Sequence, residues 1–219
     1  MRHAYPKQMT MIFIALVMLI YGCFTFWTVK LAWDYDVFIP LSYVNGDTVI
    51  TRLLLDSVLS VPYIISLLVL MKSKFFTLKP RWKFENGHVV ALLFAFYVFL
   101  CLYKQKLSVN GFYLFGFYLF FVGFVEEFIF RGFLFLTLNN RYEWKLAASV
   151  AGILWSIPHL FIPLITSNDY MHIEKWASGI INGVGGFAVS SIFFSWLLLK
   201  GKNLFIPVLV HAILDYLGA

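Results

Sequence analysis

Charge is what this chain has least of. Only 13% of its 219 residues are Asp, Glu, Lys or Arg, against about 25% in soluble domains. That shortage excludes an ordinary water-soluble domain, whose surface is wetted by such groups. Acidic residues number 11 against 17 basic ones. The basic ones are scattered near the ends of apolar stretches, which excludes a nucleic-acid patch. Cysteine is nearly absent. Cys23 and Cys101 lie inside apolar runs without CxxC spacing, which excludes a disulfide scaffold and leaves them as small buried hydrophobes. There is no Ser/Gly linker, low-complexity tract or short repeat. Nothing therefore marks off a second, soluble module.

What fills the space is apolar: 61% hydrophobic and 20% aromatic residues, with a mean hydropathy of +0.83. A transmembrane helix needs about 20 apolar residues. The sequence predicts an all-α, polytopic, multi-pass membrane helix bundle of about seven spans. They run over 9–29, 51–71, 88–103, 112–138, 145–165, 176–199 and 203–217. The fourth is long enough to be tilted or broken, which would give eight, and proline kinks some of the others. Arg2 and Lys7 open the chain as in a signal peptide. The apolar run behind them is too long for one and lacks a small-x-small cleavage site, so it reads as a retained first span.

The spans also carry a charge asymmetry. With the N-terminus in the cytoplasm, eleven Lys and Arg fall on the inner segments, most densely between Lys72 and Lys83. Five fall outside: Lys30, Arg52, Lys104, Lys106 and Lys175. Basic residues favour the cytoplasmic side, so an N-in plasma-membrane protein is expected.

Three stretches carry chemistry. The first is Glu126-Glu127-Phe-Ile-Phe-Arg131, inside the phenylalanine-rich fourth span. Each charge at membrane depth costs roughly 2.5–3.5 kcal/mol, so together on the order of 8–10 before pairing. Glu127 and Arg131 share a helix face as an i,i+4 pair. Glu126 points about 100° away and has no local cation. It needs a distant partner, a cation or a proton, unless both acids simply glue helices together.

The second stretch is Trp155-Ser-Ile-Pro-His159. Pro158 and Pro163 bracket His159 and predict an opened helix, which membranes tolerate where it lines a cavity. On its own, His159 reads equally well as a packing residue. The third is His211-Ala-Ile-Leu-Asp215, one turn apart on one face. Counted from the cytoplasmic ends, Glu126, His159 and His211 lie roughly 18, 21 and 12 Å deep at 1.5 Å per residue. All three would meet in the middle or inner half of the bilayer. Glycines 179, 183 and 186 with Ser190 fall at helical spacing on the sixth span and read as a close-packing row.

With these three elements in this order and spacing, the sequence resembles the CAAX proteases and bacteriocin-processing enzymes. This is the family of type II CAAX prenyl endopeptidases, also called the Abi family. The likeness covers about 120–217. It implies a single membrane domain in which 1–110 supplies N-terminal helices and 111–219 the catalytic ones. It implies an intramembrane endopeptidase acting on a peptide or small membrane-associated protein. Its catalytic set would be Glu126, Glu127, Arg131, His159, His211 and Asp215. Two departures stand out: Trp155 where Phe is commoner, and Asp215 where the CAAX-cleaving members carry Asn. An ionised Asp cannot donate to an oxyanion, which favours a His-orienting or metal-binding role for it.

Peptide hydrolysis needs an activated water, a base and stabilisation of a tetrahedral oxyanion. Glu126 suits the base, His159 the holding of the water and His211 the oxyanion. A zinc ion held by Glu126, His159, His211 and Asp215 is chemically acceptable too. No HExxH is present to favour it, and no other cofactor is implied. Non-enzymatic alternatives are a bacteriocin-immunity protein and a proton-coupled carrier. The internal repeat of many carriers is not visible.

Overall fold

The computed structural model describes residues 7–72, 83–104 and 107–218. Arg2, Lys74, Lys79, Arg81 and Lys106 lie outside the described residues, and with them part of the charge asymmetry.

The described residues form helices: α1 (Lys7–Asp34), α2 (Val49–Lys72), α3 (Gly87–Tyr103), α4 (Val109–Gly116), α5 (Leu136–Asn139), α6 (Trp144–His159), α7 (Phe161–Thr166), α8 (Ile173–Gly201) and α9 (Phe205–Gly218). Two π-helical segments, Phe117–Phe124 and Glu127–Phe135, join α4 to α5. Among the described residues, four stretches are long and apolar enough to cross a membrane: Ile12–Asp34, Val49–Val69, Trp144–Thr166 and Ile173–Gly201. Gly87–Tyr103 and Phe205–Gly218 are shorter apolar helices. The chain is a polytopic helical membrane protein.

Of the two openings the sequence allows, one does not form and the other does. The fourth span stays helical from 109 to 139 and widens instead of breaking. Wider i→i+5 bonding of this kind often appears at functional sites. The break falls in the fifth span. Pro158 has no backbone N–H to give, α6 ends at His159, and the chain restarts as α7 after Leu160.

The main core is built around the second π segment. Phe128, Phe130, Phe133 and Phe135 are buried against Ile14, Met18 and Tyr21 of α1, Tyr63 and Leu67 of α2, Trp155 of α6 and Phe194 of α8. The core thus draws on both the N-terminal and the C-terminal helices. Between membrane helices, close packing replaces the hydrophobic effect as the main attraction, and two glycines permit it. A Cβ on Gly152 would sit 2.6 Å from the Phe187 carbonyl, so α6 and α8 touch through backbone. A Cβ on Gly123 would sit 2.8 Å from the Val208 carbonyl on α9. The row at Gly179, Gly183, Gly186 and Ser190 contributes less: a Cβ on Gly183 would lie 3.8 Å from that of Ser156 on α6, an ordinary contact. Gly179 meets only the Leu160 side chain, and Gly186 faces open space. The closest approach falls instead at the backbone of Phe187 and Ala188 and the side chain of Ser191, opposite Gly152 on α6.

At one end of the bundle, segment 83–86 is tied to the α8–α9 turn. Asn86 Nδ2 donates to the Gly201 carbonyl, and Asn203 Nδ2 to that of Glu85. Lys202 Nζ lies 3.1 Å from the Glu85 carboxylate and holds it below the usual carboxylate range.

Candidate active site

The long helix, α6, α8 and α9 bring the three sequence elements together. Glu126 and His159 form one side. Trp155 Nε1 donates to Glu126 Oε2 at 2.6 Å, and His159 Nε2 stands 3.7 Å from the same oxygen. The helix break after His159 leaves this side reachable: the His159 side chain is 36% exposed and Glu126 17%. His159 Nδ1 lies 3.0 Å from the Trp155 carbonyl. A carbonyl only accepts, so the proton of a neutral imidazole sits on Nδ1. The Nε2 lone pair then points at the Glu126 carboxylate. Two acceptors 3.7 Å apart are complementary to a water that donates one proton towards each.

The other side is buried. Glu127 Oε1 accepts from His211 Nδ1 at 3.0 Å and lies 3.1 Å from Arg131 Nη1. Glu127 and Arg131 have no exposed surface. Arg131 sits over the Trp155 ring at 4.0 Å and the Phe194 ring at 5.0 Å. Among the described residues its nitrogens find no aligned hydrogen-bond acceptor, and Glu127 Oε2 finds no donor. The Nη1 contact is therefore an ion pair by distance and not a shaped hydrogen bond. His211 is stacked on Phe194 at 4.9 Å, with its Nε2 3.4 Å from Asp215 Oδ2. The Asp215 side chain is 37% exposed.

The six expected residues thus gather, in two layers. Glu126, His159 and Asp215 are accessible. Glu127 and Arg131 lie behind them, and His211 bridges the layers. The closer partner of His211 is Glu127, from a different helix, and not Asp215 one turn away. Sequence reasoning passed over two aromatics, Trp155 as a donor and Phe194 as a floor. The signal available for Trp155 was an N–H-bearing aromatic one turn before a candidate histidine. For Phe194 there was none.

Zinc would need several of these donors to converge. Among the described residues no group of three or more His, Cys, Asp or Glu is gathered to hold a metal ion. The expected four are held as two pairs, Glu126–His159 and His211–Asp215. The donors therefore do not meet at one zinc position in this arrangement.

The sequence model of the type II CAAX prenyl endopeptidase Rce1-like family matches residues 108–217. That is half of the chain, and it contains every residue of the two layers. The chain belongs to this Rce1-like family. Membership makes it, at the level of the family, a CAAX-type intramembrane protease. No curated protein and no solved structure matches the chain. The α1–α3 part lies outside the matched Rce1-like region, yet Tyr21 and Tyr63, whose rings meet at a tilt with centroids 4.1 Å apart, pack against its core.

Proposed function

We propose that this protein hydrolyses a peptide bond in a membrane-associated peptide or small protein, using a water activated by Glu126. The observation that carries the reading is the reachable 3.7 Å gap between Glu126 Oε2 and His159 Nε2. A water there gives a proton to Glu126 as its oxygen attacks the scissile carbonyl, and His159 Nε2 orients it through the second hydrogen. His211 faces the developing oxyanion. Its Nδ1–H is spent on Glu127, so a protonated ring offers Nε2–H to the negative oxygen. Collapse of the tetrahedral intermediate passes the proton from Glu126 to the leaving amine, which restores the carboxylate. Glu127 and Arg131 act through His211 and Trp155 and touch no substrate.

The surroundings suit a substrate that arrives from the bilayer. An apolar groove of about 460 Å³ lies between α1, α6 and α7, lined by Met18, Phe26, Leu154, Pro158, Phe161 and Trp176 among others. It borders α6 at Pro158, next to His159. Such a wall accepts an apolar or lipid-modified segment better than a charged one. A CAAX-type, leader, pheromone or bacteriocin precursor meets that description. No metal is assigned a step.

The test is cleavage of a prenylated CAAX peptide and its unmodified twin by purified protein in lipid nanodiscs, with Glu126→Gln as control. Cleavage by the wild type alone supports the reading. A folded wild type that cleaves neither peptide would sink the CAAX version. For the N-in orientation, Asn45→Cys should react with an impermeant thiol reagent in intact cells, and Lys79→Cys should not.

A further inference from the structure

Trp155 touches both layers of the site. Its indole N–H donates to Glu126 Oε2 at 2.6 Å. Its face carries Arg131 at 4.0 Å, and its ring lies 5.4 Å from that of His211 and 5.5 Å from that of His159. Phe187 and Phe194 close the remaining sides at 4.9 and 6.2 Å. The side chain is 4% exposed, so its rotamer is fixed by packing.

Glu126 is different. Among the described residues its side-chain hydrogen bond is the one from Trp155; His159 stands 3.7 Å away, beyond hydrogen-bond distance, and Tyr21, Arg131, His211 and Asp215 interact with its charge. A glutamate has three side-chain torsions, and an unheld one at a site edge samples several rotamers. We infer that Trp155 is a positioning residue for Glu126: its N–H pins Oε2 through one lone pair and leaves that oxygen's other lone pair aimed at the water beside His159 Nε2. This rests on the proteolytic reading for its consequence, though not for the contact itself.

The residue type suits the task. An indole N–H is a donor without acceptor capacity, so it cannot compete with Glu126 for the proton of the water. The bond is charge-assisted, which makes it about twice as strong as a neutral one. Phenylalanine would keep an aromatic face and lose the donor, together with the volume of the indole's second ring, which is why melting is measured beside turnover. A base held in one geometry before substrate arrives saves that ordering at the transition state.

Two measurements test this on the full chain in nanodiscs. The first is the indole N–H proton resonance of Trp155 in ¹⁵N-tryptophan-labelled protein, assigned by its absence in Trp155→Phe. It should lie downfield in the wild type and move upfield in Glu126→Gln, whose neutral amide is a weaker acceptor. A resonance identical in both proteins would overturn the inference. The second is turnover of Trp155→Phe. Its kcat should fall about ten- to hundredfold with KM within about twofold, because the lost bond orients the base and does not bind substrate. A wild-type kcat in a variant that melts with the wild type would also overturn it. If Trp155→Phe fails to fold, the Glu126→Gln spectrum still decides without the assignment: one of the seven indole resonances should move upfield, and seven unmoved resonances would overturn the inference. If the wild type cleaves nothing, the proteolytic reading fails separately while the resonance still reports the bond.

Discussion

Two ion pairs of the same kind sit at different places in this membrane protein, and they are treated differently. Arg52 and Asp56 are an i,i+4 pair at the start of α2, with side chains 5% and 4% exposed. Glu127 and Arg131 are an i,i+4 pair in the π segment, both fully buried. In the first, Arg52 Nε donates to Asp56 Oδ1 at 3.1 Å and Nη1 to the Ile39 carbonyl at 2.6 Å. Tyr113 closes the set by donating to Asp56 Oδ2 at 2.6 Å. This cluster pins the loop before α2, and the start of the long helix, to α2. In the second, the guanidinium rests on aromatic faces and half the carboxylate is unpartnered. What hydrogen bonding Glu127 has is directed at His211. A buried pair that serves the fold alone can be fully satisfied. A pair that orients a working histidine and a working tryptophan leaves its own demands unmet, a cost that tends to accumulate at functional sites.

Damage to the site side should therefore cost activity first, and damage to the α2 side stability alone. The largest effect is expected from Glu126→Gln. Cleavage should fall by about a thousandfold or more, roughly 4 kcal/mol of transition-state stabilisation, with an unchanged melting curve. A variant that cleaves like the wild type would remove Glu126 from the chemistry. Glu127→Gln should cost both. It leaves Arg131 buried without its counter-charge, worth about 3–5 kcal/mol in stability, and frees His211. The double variant Glu127→Gln/Arg131→Met should regain most of the stability and none of the cleavage, measured by thermal melting beside turnover. Recovery of both would make the pair purely structural, like the one on α2.

Tyr113→Phe probes the satisfied pair. It leaves Asp56 Oδ2 without its donor and should lower stability by about 1–3 kcal/mol, with cleavage per folded molecule unchanged. The smallest effect is expected at Asp215. It faces His211 Nε2 at 3.4 Å and is more than a third exposed, so Asp215→Asn should keep activity within about tenfold, at most about 1.4 kcal/mol. Elemental analysis belongs with that assay. Stoichiometric zinc in the wild type, lost along with activity in Asp215→Asn, would replace the glutamate-activated water with a metalloprotease.

Arg52 also shows how far sequence reading reaches. Counted among the outer charges, it is in fact inside the first turn of α2 and buried. Its partner Asp56 was predictable from the four-residue step. Tyr113, 57 residues further on, was not.

The class of the molecule was legible in the sequence, because scarcity of charge and length of apolar run are properties of the chain alone. So were the local pairs Arg52–Asp56, Glu127–Arg131 and His211–Asp215, since four residues of helix fix which side chains are neighbours. The opening at His159 was marked by Pro158, a residue that breaks helices wherever it stands. Tertiary structure decided the rest. The π register of Glu127–Phe135 changes which side chains share a face. Contact between Glu127 and His211 spans 84 residues, and that between Trp155 and Glu126 spans 29. Such contacts depend on how far each helix is rotated and how deeply Gly123 and Gly152 let α9 and α8 approach. Rotation and approach are set by packing among whole helices, so no motif encodes them. For that reason the order of the site elements was readable, while the division into a reachable layer and a buried one was not.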